Sequence, residues 1–257
     1  METMQAIDPT QRFSSRVENY LRFRPGYRPD VLELLRNECS LTPESIIADI
    51  GSGTGILARI FLENGNRVFG VEPNDAMRKA GEESLARFTR FTSIAARAEA
   101  TTLSDGSVDF VIAAQAAHWF DQLKARQEFR RILQPNGWVV LVWNERCTDT
   151  TQFLLAYEQV LISFGTDYTE VRHERTTENL STFFGESPFQ QRVFEMRQEF
   201  DYPGFEGRVL SSSYAPAAGH PNHLPMLREL RRIFDQHNEN GRVAMDYKTR
   251  VYYGRLI

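Results

Sequence analysis

The feature that most constrains the fold of this chain is a glycine-rich turn over residues 46–55. The segment reads IIADIGSGTG: β-branched residues lead into an acid, and glycines follow at positions 51, 53 and 55. Apolar residues after the turn recur at helical spacing, which predicts that the turn opens a helix. A strand, a tight glycine turn and a helix form the first unit of a doubly wound α/β fold. Glycine backbones can pass close to a ligand, and the helix N-terminus offers it free N–H groups.

The spacing of these glycines differs from that of a dinucleotide-binding fingerprint. A G-x-G-x-x-G pattern would put its third glycine at Ile56, but the chain has it one residue earlier, at Gly55. This argues against a nicotinamide-dependent oxidoreductase. The run from Asp49 to Gly55, DIGSGTG, resembles motif I of the class I S-adenosylmethionine-dependent methyltransferases. That resemblance implies an α/β, Rossmann-like, doubly wound and mostly parallel seven-stranded sheet, with helices on both faces and an antiparallel last strand.

The resemblance also implies S-adenosylmethionine as cofactor, with S-adenosylhomocysteine as product. Glu72 stands 21 residues after Gly51, at the end of a predicted strand over 67–71, where an acid can accept both hydroxyls of a ribose. In the family, residues like Pro73, Asn74 and Met77 lie along the adenosine, and a pair like Ala98–Glu99 flanks the adenine. The predicted cofactor-binding residues are Asp49, Gly51, Ser52, Gly53, Gly55, Glu72, Pro73, Asn74, Met77, Ala98, Glu99, Gln115, Ala116 and His118.

An unusual aromatic string, QAAHWFD, follows the apolar run over 108–114. The apolar run predicts a central parallel strand, and ligands in open parallel sheets bind at the carboxyl ends of such strands. The string resembles a motif of the methyltransferase subgroup that includes trans-aconitate methyltransferase-like proteins. His118 has three interpretations: a contact with cofactor or substrate, a structural histidine, or a catalytic base. It is the one candidate catalytic residue.

The residues before 46 form a predicted N-terminal cap. The stretch from Tyr20 to Pro29 resembles the segment that folds over the cofactor in many small-molecule methyltransferases. Its arginines are either solvated charge or, if one or two point inward, a clamp for a carboxylate. The arginines stand at Arg12, Arg16, Arg22, Arg24 and Arg28, and the predicted substrate-binding residues are Tyr20, Arg24, Tyr27, Trp119 and Trp143.

The expected acceptor is a small molecule, and two chemistries remain open for it. A carboxylate is ionised at neutral pH and needs no base, whereas a phenol or hydroxyl of a quinone or natural-product precursor would need one such as His118. A non-catalytic protein that only binds S-adenosylmethionine is a third possibility.

The second half of the chain departs from regular strand–helix alternation. Helical patterns over 153–164 and 176–184 predict an insertion between strands five and six. The resemblance implies that residues 150–235 contain this helical insertion as a substrate lid, since the family often builds its lid there. A short helix is predicted over 205–214, a sixth strand over 190–201 and a final strand over 243–257. We expect one domain over residues 1–257, with 1–45 as its cap.

Composition excludes several classes of protein. The net charge of −4 and a pI near 5.8 give no basic footprint for nucleic acid. No apolar run has the roughly 20 residues of a membrane span, and two cysteines cannot build a disulfide framework. We therefore expect a cytoplasmic protein, monomeric or homodimeric, that binds neither nucleic acid nor membrane. We also expect no metal, because His220 and His223 have no nearby acid or cysteine to complete a site.

Overall fold

Strands and helices alternate from β1 (Ile46–Ile50) to β3 (Phe91–Ile94), as the glycine turn predicts, and the next strand then follows without an intervening helix. The computed structural model describes residues 16–171, 180–181 and 183–256. The first elements are α1 (Val17–Phe23), α2 (Asp30–Cys39), β1 (Ile46–Ile50), α3 (Ile56–Glu63), β2 (Arg67–Val71), α4 (Asp75–Ser84) and β3 (Phe91–Ile94). They are followed by β4 (Val108–Ala114), a 3₁₀ turn (Ala117–Trp119), α5 (Gln122–Ile132) and β5 (Leu133–Arg146).

The second half is mainly helical until its last strands. It contains α6 (Gln152–Phe164), α7 (Tyr168–Val171), β6 (Phe189–Phe200), α8 (Tyr202–Leu210), α9 (His223–His237) and β7 (Val243–Gly254). Most of the predicted helix over 176–184 lies outside the described residues.

All seven strands join one sheet in the order β3-β2-β1-β4-β5-β7-β6. Strands β1 to β5 pair in parallel, whereas β7 runs antiparallel to both β5 and β6. The prediction of a mostly parallel seven-stranded sheet with an antiparallel last strand is confirmed. The strand order reverses between β1 and β4, and ligands of open α/β sheets bind outside the strand ends at such a point.

Apolar side chains cover both faces of the sheet. On one face, α2 and α3 pack over Ile47, Phe110 and Val140. On the other, α5 packs over Val111 and Leu141. A third cluster joins α6, α8 and α9 to the first half of β7. Within residues 150–235, α6, α8 and α9 therefore form a helical layer with its own core against β7, while β6 of the same segment belongs to the sheet.

Helix α8 differs from its predicted bounds of 205–214. It begins at Tyr202 because the Asp201 side chain caps it, accepting a hydrogen bond from the Gly204 N–H at 2.9 Å. It ends at Leu210, so the serines at 211–213 form a loop rather than the last helical turn.

Candidate functional site

A cleft of about 560 Å³ opens at the carboxyl ends of β1, β4 and β5. The glycine turn and the end of β4 form one side, and α1, α7 and the loop after α8 supply residues to the other. Ten of the predicted site residues line it: Tyr20, Arg24, Tyr27, Asp49, Gly51, Ser52, Gly53, Gln115, His118 and Trp119.

The three motif glycines adopt left-handed backbone conformations, with φ of 70° at Gly51, 55° at Gly53 and 79° at Gly55. A Cβ added to Gly51 would lie 2.5 Å from the Ala116 Cβ, and one added to Gly55 would lie 2.5 Å from a Leu85 methyl. At Gly53 the nearest atom is the flexible Met77 methyl, 3.3 Å away. Gly51 and Gly55 are thus required by packing, and Gly53 has room beside the cleft.

Two buried carboxylates end the first two strands. Burial and the nearby charge of Glu72 raise the pKa of Asp49 to about 7, although the Ala58 backbone N–H at the start of α3 opposes the shift. Asp49 is 1% exposed, and its Oδ2 has no hydrogen-bond partner among the described residues. A buried acceptor without a partner is costly, so a ligand that donates a hydrogen bond or carries positive charge would stabilise it.

Glu72 holds the glycine turn in place. Its Oε2 accepts the Gly53 N–H at 3.0 Å, and its Oε1 accepts the Asn74 N–H at 2.7 Å. Burial raises the pKa of Glu72, and these two hydrogen bonds oppose the shift. Each carboxylate oxygen has a second lone pair, so Glu72 keeps acceptor capacity for a ligand hydroxyl.

The other predicted cofactor residues do not line this cleft. Asn74 caps α4 by accepting the Met77 N–H at 2.9 Å, and Glu99 accepts the Asp121 N–H at 2.8 Å. Ala116 packs beneath Gly51. The same group also contains Gly55, Glu72, Pro73, Met77 and Ala98. For all eight of these residues, contact with a cofactor stays a prediction.

A strained turn presents His118 and Trp119 to the cleft. Gln115 has a φ of 55°, and its backbone N–H donates to the Val142 carbonyl at 2.9 Å. Its side-chain amide donates to the Asn144 carbonyl at 2.9 Å, so both groups anchor the turn to β5. The His118 and Trp119 rings lie 4.6 Å apart in the 3₁₀ turn that follows.

Trp143 occupies a different place from the other predicted substrate-binding residues. It is 2% exposed, sits in the sheet core with Leu141, and contacts the Tyr252 ring at 5.8 Å between centroids. Tyr252 itself lines the cleft. The structure therefore gives Trp143 a packing position behind the cleft wall.

Several cleft residues were not predicted from the sequence. Three of them lie at the carboxyl end of β5: Asn144, Glu145 and Arg146. Ligands of open parallel sheets bind at the carboxyl ends of strands, so the argument made for β4 also predicts a site here. Others come from the loop after β5, the helical layer and the last two strands, and no local pattern marks them: they include Thr148, Tyr168, Gln191, Arg208, Ser213, Tyr214, Arg250 and Tyr252.

The described residues contain neither a metal-binding cluster nor a membrane-spanning helix. Among the described residues there is no cluster of three or more histidine, cysteine or acidic side chains placed to bind a metal ion. Within the same part of the chain, every helix is too short or too polar to cross a membrane.

The known proteins that resemble this chain in sequence are described as methyltransferases. Residues 48–141 match the family described as a methyltransferase domain. The chain is 36% identical over 148 residues to an uncharacterized methyltransferase of Mycobacterium tuberculosis, covering 56% of each protein. It is 33% identical over 154 residues to an uncharacterized methyltransferase-like protein of Schizosaccharomyces pombe, covering 58% of this chain and 57% of that protein. The matched part thus spans little more than half the length of these relatives.

Solved structures show the same fold over more of the chain. One assigned as a type II methyltransferase from Anaeromyxobacter dehalogenans superposes with a TM-score of 0.67 at 24% identity, covering 91% of this chain and 99% of that one. Another, from Anabaena variabilis and assigned to antibiotic biosynthesis, gives 0.64 at 21% identity, covering 95% and 100%.

Proposed function

We propose that this chain is a class I S-adenosylmethionine-dependent methyltransferase and that it transfers the methyl group of S-adenosylmethionine to a small-molecule acceptor. The observation that carries the proposal is the glycine turn from Asp49 to Gly55 at the point where the strand order reverses. Two buried carboxylates stand beside that turn, at the ends of β1 and β2.

The residues at this turn fit the donor. Gly53 leaves room beside the cleft, Glu72 keeps acceptor capacity for the ribose hydroxyls, and Asp49 has an unpartnered buried oxygen. When bound, S-adenosylmethionine supplies a methyl group on a sulfonium that is already an excellent leaving group. The protein's task is therefore to align the acceptor with that methyl group and to exclude water.

The test of the proposed donor site is the affinity of Glu72 variants for S-adenosylhomocysteine, measured by calorimetry. Replacing Glu72 with alanine removes the proposed ribose contacts, and we expect binding to weaken about tenfold or more. Glu63→Ala is a matched control, because Glu63 is exposed and its ion pair among the described residues is with Arg87 on the surface. An unchanged affinity in Glu72→Ala would remove Glu72 from the site.

We further propose that the acceptor is a carboxylate and that the product is its methyl ester. A carboxylate can attack the methyl group without losing a proton, so no side chain has to act as a base. In this mechanism His118 shapes the pocket beside the methyl group together with Trp119. Turnover of S-adenosylmethionine with a library of carboxylic acids separates an enzyme from a protein that only binds the cofactor.

The competing acceptor is a hydroxyl, which would need a general base. His118 lines the cleft and is the candidate for that base, so a variant of His118 tests one acceptor against the other. For a carboxylate, His118→Asn should cost about tenfold or less, with a rate that is flat above about pH 5. For a hydroxyl, loss of the base should cost about 10²–10⁴-fold, and the wild-type rate should rise across the range where histidine titrates. A steep loss in His118→Asn would overturn the carboxylate proposal.

A further inference from the structure

Two arginines that line the cleft, Arg24 and Arg208, have no acidic partner among the described residues. We propose that their two guanidinium groups together bind a carboxylate of the methyl acceptor and so determine which acceptors the protein takes. This inference rests on the methyltransferase function proposed above, and it adds Arg208 as a specificity-determining residue.

Arg208 lies in the last turn of α8 and is 5% exposed. Its Nε donates to the Tyr247 hydroxyl at 3.1 Å, and its Nη1 donates to the Ser212 hydroxyl at 3.2 Å. A longer contact of 3.5 Å reaches the Ser211 hydroxyl. All of these partners are neutral, so they orient the guanidinium group and leave its charge uncompensated.

Arg24 reaches the same loop from the N-terminal cap. Its Nη2 donates to the Ser211 carbonyl at 3.0 Å, and its guanidinium carbon lies 4.9 Å from the centre of the Tyr20 ring. Its Nε is buried without a hydrogen-bond partner among the described residues. Part of the side chain remains exposed, so the guanidinium group retains donors for a ligand.

The other described cap arginines are used elsewhere. Arg16 donates to the backbone carbonyls of Leu210, Ser212 and Ala215, at 2.6–3.1 Å. Arg28 pairs with Asp30 at 2.8 Å, and Arg22 is exposed on the surface of α1. Arg12 lies outside the described residues. Arg24 is therefore the described cap arginine that lines the cleft.

The remaining arginines of the cleft wall are neutralised. Arg146 pairs with Glu158, and Arg250 pairs with Glu145. The pKa of Arg24 is lowered by burial and then by the nearby charge of Arg208. Burial also lowers the pKa of Arg208, but the nearby tyrosines, Tyr247 above all, outweigh it and raise that pKa. Buried charges without a partner are strongly unfavourable, so a bound anion would relieve both the desolvation and the repulsion.

A carboxylate fits this pair because two guanidinium groups can donate in parallel to its two oxygens. The cofactor also carries a carboxylate, which is the second source of the same chemistry. We assign the arginines to the acceptor because Arg208 belongs to the helical layer with Ser213 and Tyr214, and Arg24 of the cap donates to the Ser211 carbonyl of the same loop. The buried acids Asp49 and Glu72 stand instead at the glycine turn. The experiment separates the two sources by measuring cofactor and acid binding independently.

The test compares Arg24→Gln and Arg208→Gln with Arg22→Gln, a matched control on the exposed side of α1. Calorimetry first measures the affinity of each protein for S-adenosylhomocysteine. The complex with S-adenosylhomocysteine is then titrated with malonate, succinate and citrate, and with malonamide and succinamide as neutral analogues, at constant ionic strength. Acids that support turnover are also examined for KM and kcat in each variant.

We expect acids to bind the wild-type complex more tightly than the amides do. Both cleft variants should lose about tenfold or more of that affinity, as a rise in KM rather than a fall in kcat, with affinity for S-adenosylhomocysteine within about twofold of wild type. Arg22→Gln should behave as wild type. If Arg208→Gln fails to fold by circular dichroism, the partly exposed Arg24→Gln carries the comparison.

Two results would overturn the inference. Equal binding of acids and amides by the wild-type complex would show that the pair does not select an anion. A selective loss of S-adenosylhomocysteine affinity in the variants would assign the arginines to the cofactor's carboxylate. If the wild-type protein does not bind S-adenosylhomocysteine at all, the proposed function itself fails, and that failure is seen in the first titration.

Discussion

The three glycines of the turn have different physical reasons to be glycine. All have positive φ, but only Gly53 has no fixed atom in the place of its missing side chain. Gly53→Ala should therefore fold, at a cost of about 1–2 kcal/mol for a left-handed alanine, and should bind S-adenosylhomocysteine much more weakly. Gly51→Ala should lose stability more severely, because its Cβ would overlap the Ala116 Cβ at 2.5 Å. Thermal unfolding and calorimetry on both variants check this; normal binding by a folded Gly53→Ala would contradict the role given to the turn.

Asp49 is a residue whose ionisation opposes folding. Its pKa is about 7 in the folded protein and 3.8 in the reference state, so the folded chain holds the proton more tightly. Stability therefore declines as pH rises from about 4 to 7, by about 4 kcal/mol for this group at most. Asp49→Asn removes the decline, so the variant should gain in melting temperature relative to wild type between pH 5 and pH 8, while losing cofactor affinity.

A suitable control for this comparison is Asp105→Asn, because Asp105 is exposed and pairs with Arg131 at the surface. Its melting temperature should follow that of the wild type across the same range. A constant difference between Asp49→Asn and wild type at every pH would show that Asp49 does not titrate there.

Strand-end residues of the site could be predicted from the sequence, and residues of the helical layer could not. Asp49, Gly53 and His118 follow strands recognisable from their apolar runs, and all three line the cleft. Trp143 stands two residues after the buried Leu141 in β5, so strand alternation places both side chains on the same face of the sheet. This alternation predicts a packing position for Trp143, whereas its aromatic side chain alone suggested a substrate contact. Arg208 has no local signal, since its proximity to Arg24 depends on the packing of α8 against α1.

At the scale of elements, prediction was most accurate where local capping and turn residues define the boundaries. β2 and β4 have their predicted bounds, and in the structure the helices that follow them begin at side-chain caps, Asn74 for α4 and Asp121 for α5. These signals are short-range and independent of the rest of the fold. The helices of the second half bury their apolar faces mostly on one another, so their sequence patterns do not specify where they sit on the sheet.

The cap helix α1 is attached to the rest of the protein without a buried apolar face. None of its residues is fully buried. Phe23 packs against Gly207 of α8, where a Cβ would come within 2.2 Å of the ring, and Arg16 binds three carbonyls of the following loop. The cap and the helical layer therefore form one wall of the cleft, and the contacts between them are mainly polar and backbone-mediated.

At the scale of the molecule, we predict a single cooperative unfolding transition. The helical cluster shares β7 with the sheet, so neither can lose its core without exposing the other. The three tryptophans, Trp119, Trp138 and Trp143, all lie at β4 and β5, and their fluorescence reports on the sheet. Far-UV circular dichroism also follows α6, α8 and α9. Thermal transitions by the two signals should coincide; an earlier loss of dichroism would indicate a separate lid domain.

The position of β7 between β5 and β6 has a consequence for where the chain can change length. Alternate residues of β7 are buried from Val243 to Thr249, with Tyr247 beneath Arg208, while Arg250 and Tyr252 line the cleft. One residue inserted within β7 would exchange its two faces, carrying Arg250 into the core and withdrawing Tyr247 from Arg208. Insertions in the loop over 216–222 leave that register intact. Variation in length is therefore compatible with the loops of the helical layer and incompatible with the strand that attaches this layer to the sheet.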